Sequence, residues 1–314
     1  MKKVVITGGA GFIGSNLAKK LVEIGYKVFI IDDLFSGSLD NLKGLNIEFI
    51  QGTILNKNLL LKVFKGSDIV FHLAARNIIA AIENPREDLR SNIEGTYNVL
   101  EAAKDAKVNK LVYASTSSIY GNPKYLPINE DDKLNFLNFY SVSKFAGESY
   151  AKVFYEVYGL PITVVRYSNV FGYNQRAENP YCGVIGKFID YCNYKKPILI
   201  HGDGEQTRDF TFIDDAVEAT ILSGLSNKSI GESYNIGTGV ETSINSLAFK
   251  LKKITNSESE VKYIEKRDID NLRRRVMNIE KIRYQLKFFP KYTLGEGLKK
   301  TVEWYQDNNK LSSF

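Results

Sequence analysis

Cysteine and histidine are scarce, with two of each in 314 residues. Two thiols in a chain this long build no disulfide framework, and a reducing cytoplasm is the expected setting. The cysteines and histidines are scattered without zinc spacing, so no metal is expected. Long apolar runs are missing too. The longest, such as Val28 to Ile31, are strand-sized and far too short to cross a bilayer. Met1-Lys2-Lys3 leads straight into the strand-like Val4-Val5-Ile6, without the hydrophobic region and cleavage site of a signal peptide. There is no internal repeat and no low-complexity linker. The net charge of +6 fits a lysine-rich solvated surface. The densest basic run, Arg273-Arg274-Arg275, is short and lacks interleaved aromatics. Neither a membrane nor a nucleic acid is an expected partner.

What is present is the composition of a soluble globular protein, 44% hydrophobic and 25% charged. The first half alternates β-branched runs with longer amphipathic segments. The runs are "KVVIT" at 3–7, "KVFIID" at 27–32, "IEFIQG" at 47–52, "DIVFHLAA" at 68–75, "KLVYAST" at 110–116 and "ITVVRYS" at 162–168. Helix-like stretches lie at Gly14 to Ile24, Asn92 to Ala106 and Tyr140 to Tyr158. Near-continuous apolar strands separated by helices predict a parallel sheet covered on both faces, the doubly wound α/β fold. Past Tyr167 the rhythm breaks into Gly-, Asn- and Pro-rich loops with shorter mixed elements. The expected division is a Rossmann-like domain over 1–167, with a return segment near 208–226, and a smaller mixed α/β lobe over 168–314.

"VVITGGAGFIGSN" joins the first strand to the first helix. Gly8, Gly11 and Gly14 are spaced GxxGxxG, and Gly9, Gly11 and Gly14 also satisfy GxGxxG. Glycines there let the backbone approach a pyrophosphate, which the helix N-terminus then binds. The second strand ends at Asp32-Asp33, placing an acid where it can hydrogen-bond an adenosine ribose diol and repel the extra phosphate of NADP. No arginine follows nearby in sequence to neutralise such a phosphate. NAD is the expected cofactor, with Asp32 on the ribose and Asp33 capping the next loop.

"YASTSSIYG" at 113–121 puts Thr116, Ser117 and Ser118 at a strand's carboxyl end, where a doubly wound sheet presents its ligands. "YSVSK" then sets Tyr140 and Lys144 on one helix face. With these motifs the sequence resembles the extended short-chain dehydrogenase/reductase family, specifically its nucleotide-sugar epimerases and dehydratases. "FHLAA" at 71–75, "NIEGTYNVLEAA" at 92–103, "RYSNVFG" at 166–172, "GDGEQTRDF" at 202–210 and "YNIGTG" at 234–239 extend the resemblance over nearly the whole chain.

The resemblance implies that Tyr140, made acidic by Lys144 and a cationic nicotinamide, takes a sugar hydroxyl proton while hydride leaves the same carbon. Thr116 would hold that oxygen and Lys144 also the nicotinamide ribose. Cofactor contacts would come from Gly8, Gly11, Phe12, Ile13, Gly14, Asp32, Thr53, Ile54, Ala74 and Asn92. Substrate contacts would come from Asn169 and Arg208 at the diphosphate and from Val184 and His201 at the base, with His201 alternatively an ordinary surface-loop histidine. The resemblance also implies a homodimer joined through the helices at 92–106 and 140–158, with Tyr97, Leu100, Phe145, Val153 and Phe154 as candidate contacts.

Three departures stand out. Gly52-Thr53 replaces the usual Gly-Asp that meets adenine. Arg76 replaces a common glutamine and adds a charge near the expected diphosphate and nicotinamide. In "DNLRRR" at 270–275, Arg275 either closes the space that N-acetyl sugars need, pairs with a sugar carboxylate, or faces solvent. The family's dehydratases follow the catalytic threonine with Asp-Glu and its decarboxylases carry a glutamate two residues after it, whereas Ser117 and Ser118 bring no carboxylate. Nor is there the Cys/His pair of the deoxysugar epimerase-reductases, since position 117 is serine and Cys182 lies in the other lobe. The expected activity is 4-epimerisation of a UDP-hexose of the UDP-glucose/UDP-galactose type. Rivals are 4-epimerisation of UDP-glucuronate, with Arg275 or Arg76 pairing with its carboxylate, or of a UDP-N-acetylhexosamine, a net NAD-dependent reduction or oxidation, and a non-catalytic NAD-binding or nucleic-acid-binding role.

Overall fold

A computed structural model describes residues 2–175, 183–266 and 272–311. The chain runs β1 (Lys3–Thr7), α1 (Phe12–Glu23), β2 (Lys27–Asp32), β3 (Ile47–Gln51), α2 (Lys57–Phe64), β4 (Ile69–His72), α3 (Ile78–Glu83), α4 (Pro85–Asp88), α5 (Thr96–Asp105), β5 (Lys110–Thr116), α6 (Phe139–Tyr158) and β6 (Ile162–Tyr167). It continues through β7 (Asn169–Phe171), α7 (Val184–Asn193), β8 (Ile198–His201), β9 (Thr207–Phe212), α8 (Ile213–Leu225), β10 (Ser233–Ile236), β11 (Glu241–Ser243), α9 (Ile244–Thr255), β12 (Val261–Ile264), α10 (Glu280–Leu286) and α11 (Leu294–Leu311). Among the described residues, no helix is long and apolar enough to cross a membrane.

A seven-stranded sheet orders these strands β10-β6-β5-β4-β1-β2-β3, with every neighbouring pair parallel. Successive side chains alternate faces. Val5, Val70 and Leu111 therefore pack under α2, α5 and α6 with Leu60, Val99 and Phe154. Val4, Ile6 and Val112 face α1 and α8 with Leu17, Leu21 and Ile221. That second core continues without a break into Phe188, Leu247, Leu251 and Leu298 of the carboxyl-terminal half, so the two lobes share one packed interior. This half also holds the small sheets β11-β9-β7 and β12-β8.

The six predicted strands are present, with two differences at their margins. The run at 68–75 pairs only over β4, and Leu73, Ala74 and Ala75 peel away to line a cleft. Conversely, β10 returns to the sheet beside β6, beyond the predicted return segment near 208–226. Its Tyr234 and Ile236 are fully buried, and that burial outweighs the weak strand signal of the intervening serine and asparagine.

The helix α6, which carries the Tyr140/Lys144 pair, is closed at both ends by local chemistry. The Asn138 side chain accepts from Ser141 N at 2.9 Å in a reciprocal capping box, and Gly159 ends the helix in the left-handed conformation. Its position is fixed from below by a buried ion pair. Arg166 of β6 donates to Glu148 at 2.7 and 3.1 Å and to the Tyr120 hydroxyl at 2.7 Å. The predicted "RYSNVFG" motif thus begins with an anchor for α6.

Candidate active site

β1 is flanked by β4 and β2, the point where strand order reverses and a doubly wound sheet opens a crevice at its carboxyl ends. A cavity of about 840 Å³ lies there, lined by Gly8, Gly11, Gly14, Asp32, Tyr140 and Lys144 among others, with Phe12, Ile13, Ile54 and Ala74 also in its wall. Two glycines have no substitute. Gly8 sits at φ +73, with its missing Cβ position 2.6 Å from Ala74 N, and a Cβ on Gly14 would stand 2.2 Å from Gly8 O. The first turn of α1 has no side-chain cap and no acidic residue, which leaves its amides for an anion. This cradle, a bare helix N-terminus under a backbone only glycine can form, fits a dinucleotide pyrophosphate.

Asp32 ends β2 nearly buried. Its Oδ2 accepts from Ala10 N at 2.9 Å and its Oδ1 from Leu34 N at 2.8 Å, so it also holds the glycine loop in shape. Burial raises its carboxyl above the usual range, and the two amide bonds oppose that rise. Asp33 does more than the predicted capping of Phe35 N, for its carboxylate also accepts from Arg76 at 2.7 Å. Thr53 does not line the cavity and instead caps its own turn by accepting from Leu55 N at 3.2 Å, while Gly52 and Ile54 on either side do line it.

Tyr140 and Lys144 line the cavity together, and Thr116, at the end of β5, sits next to the lining residue Ser115, where its hydroxyl accepts from Ser118 N at 3.1 Å. Lys144 is 2% exposed. Burial pulls its ammonium down to about 7, with Glu148 and Asp88 pulling the other way. Burial also pushes the Tyr140 phenol up to about 12, so lowering it falls to the two charges expected beside it, Lys144 and a cationic nicotinamide.

Of the predicted substrate residues, Asn169, Val184, His201, Arg208 and Arg275 lie apart from this cavity's wall, whereas Arg76 lines it. Asn169 opens β7, opposite Phe210 of β9, and its buried Oδ1 finds no partner among the described residues. Arg208 of β9 donates to Leu272 O at 2.9 Å, and Thr207 N bonds Arg273 O at 2.9 Å, which brings the segment at 272–277 alongside. The buried Asp209 carboxylate accepts from Thr238 N, Gly239 N and Met277 N and ties these segments together. Of the three adjacent arginines, Arg273 and Arg274 are surface residues paired with Asp203 and Glu241. Arg275 is 3% exposed, so the solvent-facing alternative is excluded. His201 ends β8, where its Nδ1 meets Glu265 O at 2.8 Å, and Gln206 bonds its carbonyl, so it borders the same region. Val184 opens α7 and packs against the main core. Asp270, Asn271 and Cys182 lie outside the described residues.

Two predicted contacts need correction. Asn92 is fully buried behind the cavity wall, in a π-helical turn over Leu89–Gly95. Its amide bonds Arg76 N at 2.7 Å, Arg76 O at 2.9 Å and Asp88 at 2.6 Å, so it shapes the wall rather than lying along the cofactor. Arg76 reaches toward Asp33 and Glu87 at the adenosine end, away from the substrate residues, because those two carboxylates capture its guanidinium. Sequence reading also missed Ser91 and Asn174, which line the cavity without a motif signal, and Ser115, which the strand-end motif contains but does not single out.

A sequence model of the NAD dependent epimerase/dehydratase family matches residues 4–237. The chain is 34% identical to UDP-glucose 4-epimerase of Mycolicibacterium smegmatis over 98% of this chain and 100% of that one. It is 38% identical to dTDP-D-glucose 4,6-dehydratase of Bos taurus over 98% and 89%. The crystal structure of UDP-glucose 4-epimerase with UDP-glucose from Thermotoga maritima superposes with a TM-score of 0.94, at 35% identity and 98% and 99% coverage. The glycine cradle, the acid closing β2 and these similarities agree: the chain is an enzyme of the NAD-dependent epimerase/dehydratase family.

Proposed function

We propose that the protein 4-epimerises a UDP-hexose of the UDP-glucose/UDP-galactose type. The carrying observation is the triad of Thr116, Tyr140 and Lys144 with serine, not a carboxylate, at positions 117 and 118. Overall identity does not separate epimerase from dehydratase here, so the decision rests on acid–base groups. A dehydration must protonate a leaving hydroxide. The buried carboxylates nearest α6 are engaged, Asp88 by Asn92 and Ser143 and Glu148 by Arg166. One-carbon oxidation and re-reduction needs none of them.

Bound NAD supplies the hydride acceptor and donor at C4 and a positive ring beside Tyr140. Tyr140 accepts the C4 hydroxyl proton while Thr116 holds the oxygen. Bringing a phenol from about 12 to neutrality takes on the order of 7 kcal/mol, which close positive charge in a dry cleft can supply. Gly8, Gly11 and Gly14 hold the pyrophosphate, Asp32 the adenosine ribose and Lys144 the nicotinamide ribose. Residues 1–167 with the returning segment serve the cofactor, and the rest mainly serves the nucleotide sugar, with Asn169, Arg208 and His201 on the nucleotide. The burial of Arg275 favours a second reading in which it pairs with the carboxylate of UDP-glucuronate.

We assign the protein to the cytoplasm as a homodimer through α5 and α6. Tyr97, Tyr150, Val153 and Val157 on these helices are 40 to 65% exposed and support this, whereas Leu100 and Phe154 face the core. A proton NMR time course with UDP-glucose, UDP-N-acetylglucosamine and UDP-glucuronate in parallel, without added cofactor, tests the reading. Formation of the C4 epimer of one sugar supports it. A 4-keto-6-deoxy product, or turnover only with stoichiometric NAD or NADH, overturns it.

A further inference from the structure

In the sheet, β1 lies between β4 and β2. Any side chain that joins the loop after β4 to the loop after β2 must therefore cross over the carboxyl end of β1, above the glycine cradle. Arg76 does this. Its backbone is fixed on the β4 side, where Asn92 bonds both its N–H and its carbonyl. Its guanidinium meets Asp33 of the β2 loop through two nitrogens, at 2.7 and 3.4 Å. The same group stacks on Phe35 with its central carbon 4.0 Å from the ring centroid, and a third contact runs to Glu87 at 3.3 Å. Arg76, Asp33 and Phe35 all line the cavity. The Arg76 side chain is 13% exposed and that of Asp33 32%, so the bridge closes the rim without being sealed in the core.

We propose that Arg76, Asp33 and Phe35 form a clasp that closes over the adenosine end of the cleft and retains the dinucleotide between turnovers. The inference rests on reading the cleft as an NAD site. It assigns a purpose to two features left over from the site itself. Thr53 brings no carboxylate toward adenine and turns its hydroxyl to its own backbone, so one hold on the nucleotide is missing at that end. The clasp supplies another, made of a charge-assisted pair and a guanidinium–aromatic stack. It also keeps the guanidinium from acting as a phosphate receptor. Two carboxylates occupy it, and a third, Asp32, stands beside them, so an arginine close to the ribose does not convert the site to NADP. A cofactor that must give back the hydrogen it took has to outlast the intermediate, and slow release serves that need.

The test loads the full-length protein with NADH and follows loss of bound-nucleotide fluorescence after a chase with excess NAD, a readout independent of turnover. Arg76→Met keeps most of the aliphatic stem and removes the charge. Asp33→Asn removes the partner from the opposite loop, so the clasp is probed from both sides. Each variant should release NADH about tenfold faster, the low end for breaking a charge-assisted hydrogen bond. The double variant should stay within about twofold of the singles, because two halves of one clasp do not add. Release unchanged or slowed in both variants would overturn the clasp, as would multiplying effects, which mean two separate holds. If the unaltered protein retains no NADH, the cofactor reading fails and the clasp with it. If it retains NADH that leaves the variants at the same rate, only the clasp fails.

Discussion

The Lys144 ammonium stands 4.3 Å above the centre of the Tyr113 ring, and the Tyr113 hydroxyl donates to the Lys144 carbonyl at 3.1 Å. One side chain of β5 thus grips the charged end and the backbone of the same lysine. The ring face returns part of the attraction that the ammonium loses on leaving water. Burial holds the Tyr113 phenol well above its ordinary value, so it remains a donor. The grip depends on Gly147, about one turn further along α6, where a Cβ would lie 2.2 Å from the Tyr113 hydroxyl oxygen.

Gly147→Ala should therefore push Tyr113 off Lys144. The expected cost is ~1–3 kcal/mol of stability, with a drop in turnover because Lys144 moves. Adding Tyr113→Phe removes the clashing oxygen and should restore part of the stability. Urea unfolding of the single and double variants checks this. A Gly147→Ala protein as stable and active as the original would contradict the described packing.

The depressed lysine also predicts a pH dependence of stability. An unfolded lysine titrates near ~10.4, whereas folded Lys144 titrates at about 7. Between those values the unfolded chain binds more protons, so stability rises with pH, by up to about 1.4 kcal/mol per pH unit for one group. Lys144→Met should flatten the slope between pH 7.5 and 9 by up to that amount. Lys110, pulled down to about 8 by burial, acts in the same direction but is common to both proteins. Parallel stability curves would show that Lys144 keeps its proton when folded.

Much of this was legible in the sequence, and the exceptions share a cause. The strands β1 to β6 announce themselves as apolar runs, and Tyr140 and Lys144 as neighbours on a helix face, because both patterns are local. The destination of Arg76 is not local: its partner Asp33 is 43 residues away, and only the order of β4, β1 and β2 brings them together. Asn92 reads as a cofactor contact from its motif, yet a π-helical turn swings its amide onto the Arg76 backbone. Arg275 looks like one of three equivalent surface arginines, and only the bonds that draw the segment at 272–277 along β9 single it out as buried.

Arg275 carries the prediction on substrate choice. If it closes the sugar space, Arg275→Ser should raise activity on UDP-N-acetylglucosamine relative to UDP-glucose and depress activity on UDP-glucuronate. Loss of a charged hydrogen bond to the sugar corresponds to roughly tenfold to a hundredfold in kcat/KM. Steady-state kinetics on the three sugars decide it. A response that is uniform across the three sugars within about twofold would remove Arg275 from the site.

The most direct measurement runs the reaction on UDP-glucose in D2O, with proton NMR of the product. Oxidation and return at one carbon, with Tyr140 moving only the hydroxyl proton, carries the C4 hydrogen out and back without exchange. UDP-galactose should form with protium at C4 and no deuterium at C3 or C5, and Tyr140→Phe should abolish its formation. Deuterium entering the sugar carbons, or an active Tyr140→Phe protein, would contradict the mechanism.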